Sequence, residues 1–238
     1  MSEDAGSQRA AQQHNAAVAA GSVIVLRDDV ELRVLMLRRQ KALKFLGGFW
    51  VFPGGAADPS DIGAGAWGGV AAAARRELQE EAGLTVAVED LVHWAHWITP
   101  SALARRFDTH FFIVRAPHEQ QPCVSVAESS EFRWITQRDW ECGAASGDIA
   151  LTVPTHLVLR ELFEALALHG SLHSLLERER NRNVRTVLPK LMDDRSVVMP
   201  WDPDYEEMPG EGHPWDGVGI AERAGWPKRL AAHLGRTR

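Results

Sequence analysis

Two cysteines in 238 residues, Cys123 and Cys142, are too few and too far apart for a disulfide framework or a metal-binding cysteine cluster. Their scarcity suits a reducing compartment. Apolar runs are short, and none approaches the roughly 18 residues that a membrane helix needs. The opening segment, MSEDAGSQRAAQQHNAAVAAG, has no basic stretch leading into an apolar core and so does not read as a secretory signal. The terminal GRTR is not a peroxisomal address. A basic excess is missing too. With 26 Lys and Arg against 32 Asp and Glu, the formal charge is -6, and the pI is near 5.9. That balance argues against broad nucleic-acid binding, which goes with a basic stripe. The expectation is a cytoplasmic protein without membrane or nucleic-acid partners, whose ligand is a small molecule.

What is present is ordinary globular material: 45% hydrophobic and 24% charged residues, enough for a sizeable core. Residues 1–16 read as a polar tail. Gly21–Arg27 and Arg33–Arg38 read as a strand pair joined by the polar DDVE. FLGGFWVFPGG is a Gly-punctuated loop with a short strand. A helix is predicted over Val70–Ala82, with Gly83 closing it. Strands follow near Thr85–Val88, Leu91–Thr99, Phe107–Arg115 and from Phe132, then a short helix at QRDWECGAA. The longest helical pattern starts at Pro154 and breaks at Gly170. A strand, Asp-Asp turn and strand span VRTVLPKLMDDRSVVMPWDP, and a short helix is expected near ERAGWPKRLAAHL. This order gives an α/β (α+β) layered sandwich over 17–200, followed by an extended C-terminal tail, 201–238. The C-terminal hairpin could pair with a second copy of the chain, so a homodimer is an expectation.

The helix carries the chemistry. Glu77, Glu80 and Glu81 stand at i, i+3 and i+4, within an arc of roughly 100°. Ala71, Ala74, Leu78 and Ala82 form the adjacent apolar stripe, so the acids stand at the edge of the buried face. Three like charges repel. Arg76 can offset one pair, and a divalent cation would offset all three. An ExxEE by itself is most often a solvated acidic face. The neighbouring FPGG turn changes that reading, because a backbone without Cβ atoms can come close to the helix.

The run Arg76-Glu77-Leu78-Gln79-Glu80-Glu81-Ala82-Gly83-Leu84, preceded by Gly54-Gly55, resembles the Nudix hydrolase box, G-x5-E-x7-R-E-U-x-E-E-x-G-U, where U is bulky and apolar. The second half matches at every specified position. The first half departs: Gly55 lies 21 residues before Arg76, where the box has 14, and the box's first glutamate falls on Gly68. Asp58 and Asp61 of the enlarged loop are the acids that could stand in for it. The insertion itself, with WITPSALARRFDTHFFIV and the later Glu128, Glu131 and Trp134, is similar to a branch of the family akin to the peroxisomal coenzyme A diphosphatases.

The resemblance implies a Nudix-type α/β/α sandwich with a mixed sheet and a C-terminal helical and hairpin extension. It implies a hydrolase of nucleoside diphosphates linked to a moiety X, using Mg²⁺ or Mn²⁺. Glu77, Glu80, Glu81 and the Gly54 carbonyl would be the metal ligands. Arg76 would orient the glutamates, and Glu77 would take part in catalysis. Glu128 is preferred to Glu131 as the late acid or base. Coenzyme A or an acyl-coenzyme A leads as substrate; ADP-ribose or a nucleotide sugar is the alternative. A non-catalytic ligand sensor on the same fold is the alternative from another class, motivated by the missing glutamate. Arg38 and Arg39, with Lys41 and Lys44, could meet phosphates. Arg106, Asp108, His110 and Phe112 share one strand face, which suits a pocket wall or a solvated ion-pair face equally. His93 and His96, three apart on a strand, point to opposite faces and cannot chelate one ion together.

Overall fold

The computed structural model describes residues 16–63 and 67–213, and the backbone of 229–231. Nearly all of the expected N-terminal tail, much of the C-terminal one and 64–66 of the insertion lie outside the described residues. The chain forms two compact units. The larger holds Ala20–Ala95 and His110–Val184; the smaller holds the segment up to Ala19, His96–Thr109 and Arg185–Ala232.

In the larger unit, β1 (Val18–Arg27) and β2 (Arg33–Arg39) are antiparallel neighbours, with Leu26 opposite Val34. The strand order is β3 (Trp50–Val51), β2, β1, β6 (Phe107–Arg115), β5 (Val92–Ile98). The short β4 (Gly54–Ala56) pairs with β1, and β7 (Ser129–Ile135) pairs with β2. Side chains alternate across a strand. Val23, Val25, Leu35, Leu37, Phe112 and Val114 therefore share one face, and they pack on Ala71, Ala74, Leu78 and Ala82 of helix α1 (Gly68–Ala82). Their neighbours Ile24, Leu26, Val34, Met36 and Ile113 are equally buried, so the opposite face is covered as well. The helices α2 (Gln137–Ser146), α3 (Val153–His169) and α4 (Leu172–Glu179) complete an α/β/α sandwich. Among the described residues, no helix is long and apolar enough to cross a membrane.

Local sequence explains the boundaries. Thr136 and Asp139 cap α2 reciprocally. Thr152 caps α3 with Pro154 in its first turn, and Gly170 ends that helix at φ 75°. Gly83 closes α1 at φ 67°, its N–H donating to the Gln79 carbonyl. The strand expected at Thr85–Val88 does not form. There the Gln120 side-chain amide occupies the Thr85 backbone, accepting from its N–H at 2.8 Å and donating to its carbonyl at 3.2 Å. That substitutes for a ladder partner, and a 3-10 turn, Val88–Asp90, follows.

In the smaller unit, β8 (Thr186–Val187) runs parallel to the end of β5, which makes the sheet mixed. β9 (Lys190–Leu191) and β10 (Ser196–Val198) form the hairpin predicted around the Asp-Asp turn. The helix expected near ERAGWPKRLAAHL is not what Arg229–Ala231 forms: it is strand β11, paired with β10. Hydrogen bonding to an open strand edge outweighs local helix propensity in so short a segment.

Leu78, fully buried on α1 between the acidic positions Glu77 and Glu81, ties the acidic helix to the sheet. Leu78→Ala is expected to cost about 2–5 kcal/mol of stability, read from the urea midpoint of the metal-free protein.

Candidate functional site

The last two turns of α1 and the β4 turn meet at close range. A Cβ on Gly55 would lie 2.3 Å from a Glu77 carboxylate oxygen, so glycine here leaves the Glu77 carboxylate where it is. The neighbouring Gly54 N–H donates to Glu81 Oε2 at 2.9 Å. Glu81 is 2% exposed, whereas Glu80 points to solvent. The carboxylates of Glu77 and Glu81 thus face the Gly-Gly backbone, as the edge-of-stripe position on the helix predicts.

Arg76 holds the acids in place. Its guanidinium donates to Glu77 at 2.8 Å, to Glu80 at 3.1 Å and to the Ala56 carbonyl at 3.2 Å. It also forms a bidentate pair with Asp61, at 3.0 and 2.9 Å. The buried Asp61 side chain accepts the Asp58 N–H as well, and Arg76 keeps its carboxyl below the usual carboxylate range. Asp61 is therefore committed to Arg76. Asp58 turns back on its own loop, accepting from the Ser60 N–H and hydroxyl. Of the two aspartates, Asp61 is the acid that reaches the helix, and it reaches the arginine. Gly68, where the box pattern has its first glutamate, packs on Gly63: a Cβ there would be 2.4 Å from the Gly63 carbonyl oxygen.

Glu128 arrives from a loop stitched along the end of α1. Cys123 N–H donates to the Ala82 carbonyl at 2.8 Å and Ser125 N–H to the Glu81 carbonyl at 3.1 Å. The Glu128 carboxyl lies within interaction range of that of Glu81. Burial, then Glu128 and the charge of Glu77, push Glu81 up to about 8, against the lowering effect of the Gly54 N–H. Arg39 lies 3.8 Å from Glu81, an ion pair without a hydrogen bond. Glu131 goes elsewhere: it pairs with Arg38 at 2.8 Å, and that arginine holds its carboxyl below the ordinary range.

This donor set fits a hard divalent cation. Several carboxylates converge, one of them nearly excluded from water, and cationic relief for the buried one is limited to the distant Arg39. Glu77, Glu81 and Glu128 are the side chains brought together, with Glu80 beside them on the helix.

The other candidates have their own partners. Arg38 is engaged by Glu131 and the Gly48 carbonyl, while Lys41 and Lys44 are exposed. Arg106 and Asp108 belong to the smaller unit. There the buried Arg106 donates to Thr99 O at 3.0 Å and Glu211 at 2.7 Å, and Asp108 bonds His96. His93 and His96 do turn to different neighbours. His93 bonds His110 at 3.0 Å, and His96 also bonds Thr186 at 2.8 Å. One grouping has no counterpart in the sequence reading. The exposed Trp67 sets its ring 4.0 Å from His93 and 4.9 Å from His110, centroid to centroid, fastening the end of the insertion to the sheet. Its only sequence signal is an apolar ring beside two glycines.

A sandwich in which a Gly-Gly turn meets a helix edge of glutamates defines the class: an α/β fold built around an acidic helix. Residues 16–148, more than half of the chain, match the family described as the NUDIX domain, and the chain belongs to that family. A Caenorhabditis elegans protein provisionally named nudix hydrolase 7 is 29% identical over 166 residues, covering 55% of this chain and 56% of the relative. The chain thus spans little more than half the length of that curated relative. A crystal structure of a NUDIX hydrolase from Alicyclobacillus acidocaldarius matches with a TM-score of 0.60 at 26% identity, covering 68% of this chain and 96% of that one.

Two outcomes follow from this geometry. Restoring the box residue, Gly68→Glu, is expected to destabilise the protein by about 1–3 kcal/mol through the Gly63 clash; an unchanged melting temperature would contradict the packing. For Glu81, the folded protein keeps a proton up to about pH 8 that the unfolded chain releases near the ordinary glutamate value of 4.5. The native state then binds more protons between those values, so metal-free stability falls as pH rises through them. Glu81→Gln removes this penalty. With chelator present, its melting temperature should exceed that of the unsubstituted chain by roughly 10 °C near pH 8 and approach it near pH 5.

Proposed function

We propose that this chain is a Mg²⁺- or Mn²⁺-dependent hydrolase of a diphosphate linkage in a nucleoside diphosphate joined to a moiety X. The observation that carries this reading is that Glu77 and the buried Glu81 both meet the Gly54–Gly55 backbone, with Glu128 beside Glu81. Glu77, Glu80 and Glu81 would hold the cation, with the Gly54 carbonyl as a backbone ligand. When bound, such an ion neutralises diphosphate charge and lowers the pKa of a coordinated water.

The remaining work falls to the chain's own groups. Arg76, itself fixed by Asp61, keeps Glu77 and Glu80 from turning away from each other's repulsion. Gly55 leaves space for Glu77 beside the backbone. Glu128 lies on an exposed turn at the edge of the buried acid, where it can accept a proton from an attacking water. Arg39 and the exposed Lys41 and Lys44 supply positive charge beside the acids for substrate phosphates; Arg38, engaged by Glu131, is a weaker candidate. Coenzyme A or an acyl-coenzyme A is the proposed substrate. It rests on the resemblance of the insertion and of the RFDTHFF run to that branch, and on the basic LRRQKALK segment.

Purified protein with Mg²⁺ or Mn²⁺ should be given coenzyme A, an acyl-coenzyme A, ADP-ribose and a nucleotide sugar. Turnover of a coenzyme A species is expected, and Glu81→Gln should lower kcat by about 10²-fold or more, a barrier rise of about 2.7 kcal/mol. Hydrolysis that survives in Glu81→Gln would remove the metal-site assignment. Binding of a panel member without turnover by the unsubstituted chain would make the protein a sensor.

A further inference from the structure

We infer that Gln40 is a positioning residue for the Glu128 carboxyl, setting how that group meets Glu81; this rests on the proposed role of Glu128. Gln40 follows β2 directly and is part-buried. Its contacts bracket Glu128 on both sides. The Gln40 backbone N–H donates to the Glu128 carbonyl at 2.8 Å. Its side-chain amide donates to the Val126 carbonyl at 2.9 Å and to the Ser129 carbonyl at 3.5 Å. One side chain therefore ties down residues before and after the acid, on a turn that is otherwise exposed, with Val126 81% accessible.

The ladder between β2 and β7 explains why Gln40 is the residue that does this. Arg38 faces Glu131, but Arg39 faces Ser129, so β7 carries one extra residue, Ser130, against β2. In a regular ladder Gln40 would face Ser129. The bulge advances Glu128 by one step and sets it opposite Gln40. Bulges re-aim side chains, and this one carries Glu128 toward the end of α1, where Ser125 N–H already donates to the Glu81 carbonyl. A glutamine suits the task because its amide offers two donors to two carbonyls while remaining neutral beside an acidic cluster. The neighbouring Arg39 and Lys41 carry charge that would compete for the same carboxylates.

The test is a double-mutant cycle with Glu128→Gln, using whichever of coenzyme A, acyl-coenzyme A or ADP-ribose the unsubstituted chain hydrolyses with Mn²⁺. Gln40→Met keeps volume and removes both side-chain donors; Gln40→Ala is the second variant, used where Gln40→Met lowers the melting temperature. The expected result is a loss of about tenfold in kcat with KM within about twofold, since the group moved acts on the reacting water and not on substrate binding. In the Glu128→Gln background the same substitution should have no further effect on kcat. An unchanged kcat in both Gln40 variants, or an equal loss with and without Glu128, overturns the positioning role and leaves the Glu128 assignment standing. Wild-type kcat in Glu128→Gln alone overturns the assignment of Glu128 and this inference with it, as does absence of turnover by the unsubstituted chain.

Discussion

Everything at this site depends on a carboxyl group held where water barely reaches. Glu81 is 2% exposed. An ionised carboxylate in such a place is expensive unless paired, so it either keeps its proton or finds a cation. The chain gives it one backbone N–H, a second carboxyl and an arginine 3.8 Å away. That is too little to hold a full negative charge comfortably. The folded protein therefore stores an unfavourable ionisation that a divalent cation can relieve. The same packing keeps a proton on the group at neutral pH, so a cation that bound there would have to displace that proton.

The strain is sustained by close packing on both sides. Leu78 and the alanines of α1 lock one side of the helix to the sheet, and the Gly-Gly turn presses on the other. With α1 fixed, Glu77 is held by Arg76 and Glu81 by the Gly54 N–H. Arg76 completes the arrangement without entering it. It bonds Glu77 and Glu80 from the side while it is paired with Asp61. A guanidinium paired bidentately with one carboxylate has donors left for others in fixed directions, which lysine in its place would not.

Much of this was legible in the sequence, for a physical reason: the box is local. Spacings within one helix translate directly into directions, so the acidic edge, the apolar stripe and the Gly83 cap follow from 3.6 residues per turn. The strand pairs followed from alternation. What was not legible depends on contacts distant in sequence. The Thr85–Val88 segment looks β-rich, and only the Gln120 side chain, 35 residues away, shows why it does not pair as a strand. The choice of Asp61 over Asp58, the occupation of Arg38 by Glu131 and the bulge opposite Arg39 are likewise tertiary facts. Gly68 misleads most. Read along the chain it is a missing glutamate; in space it is a glycine pressed against another glycine.

The insertion shows how a local pattern can be interrupted without loss of the site it serves. Lengthening a loop is cheap, about 0.6 kcal/mol for each doubling. What matters is whether its ends are fixed. Here Asp61 is bound to Arg76, Gly63 meets Gly68, and Trp67 lies on His93 and His110. Three attachments within seven residues hold the entry to α1. The helix therefore begins in register although the chain has taken a longer route to it. An acid supplied by the helix-proximal box position would have to occupy the space that Gly68 yields to Gly63. An acid supplied by the loop reaches Arg76 from outside and leaves that contact intact. The glycine at 68 and the aspartate at 61 are thus two halves of one solution, and neither is intelligible as a replacement for a single residue.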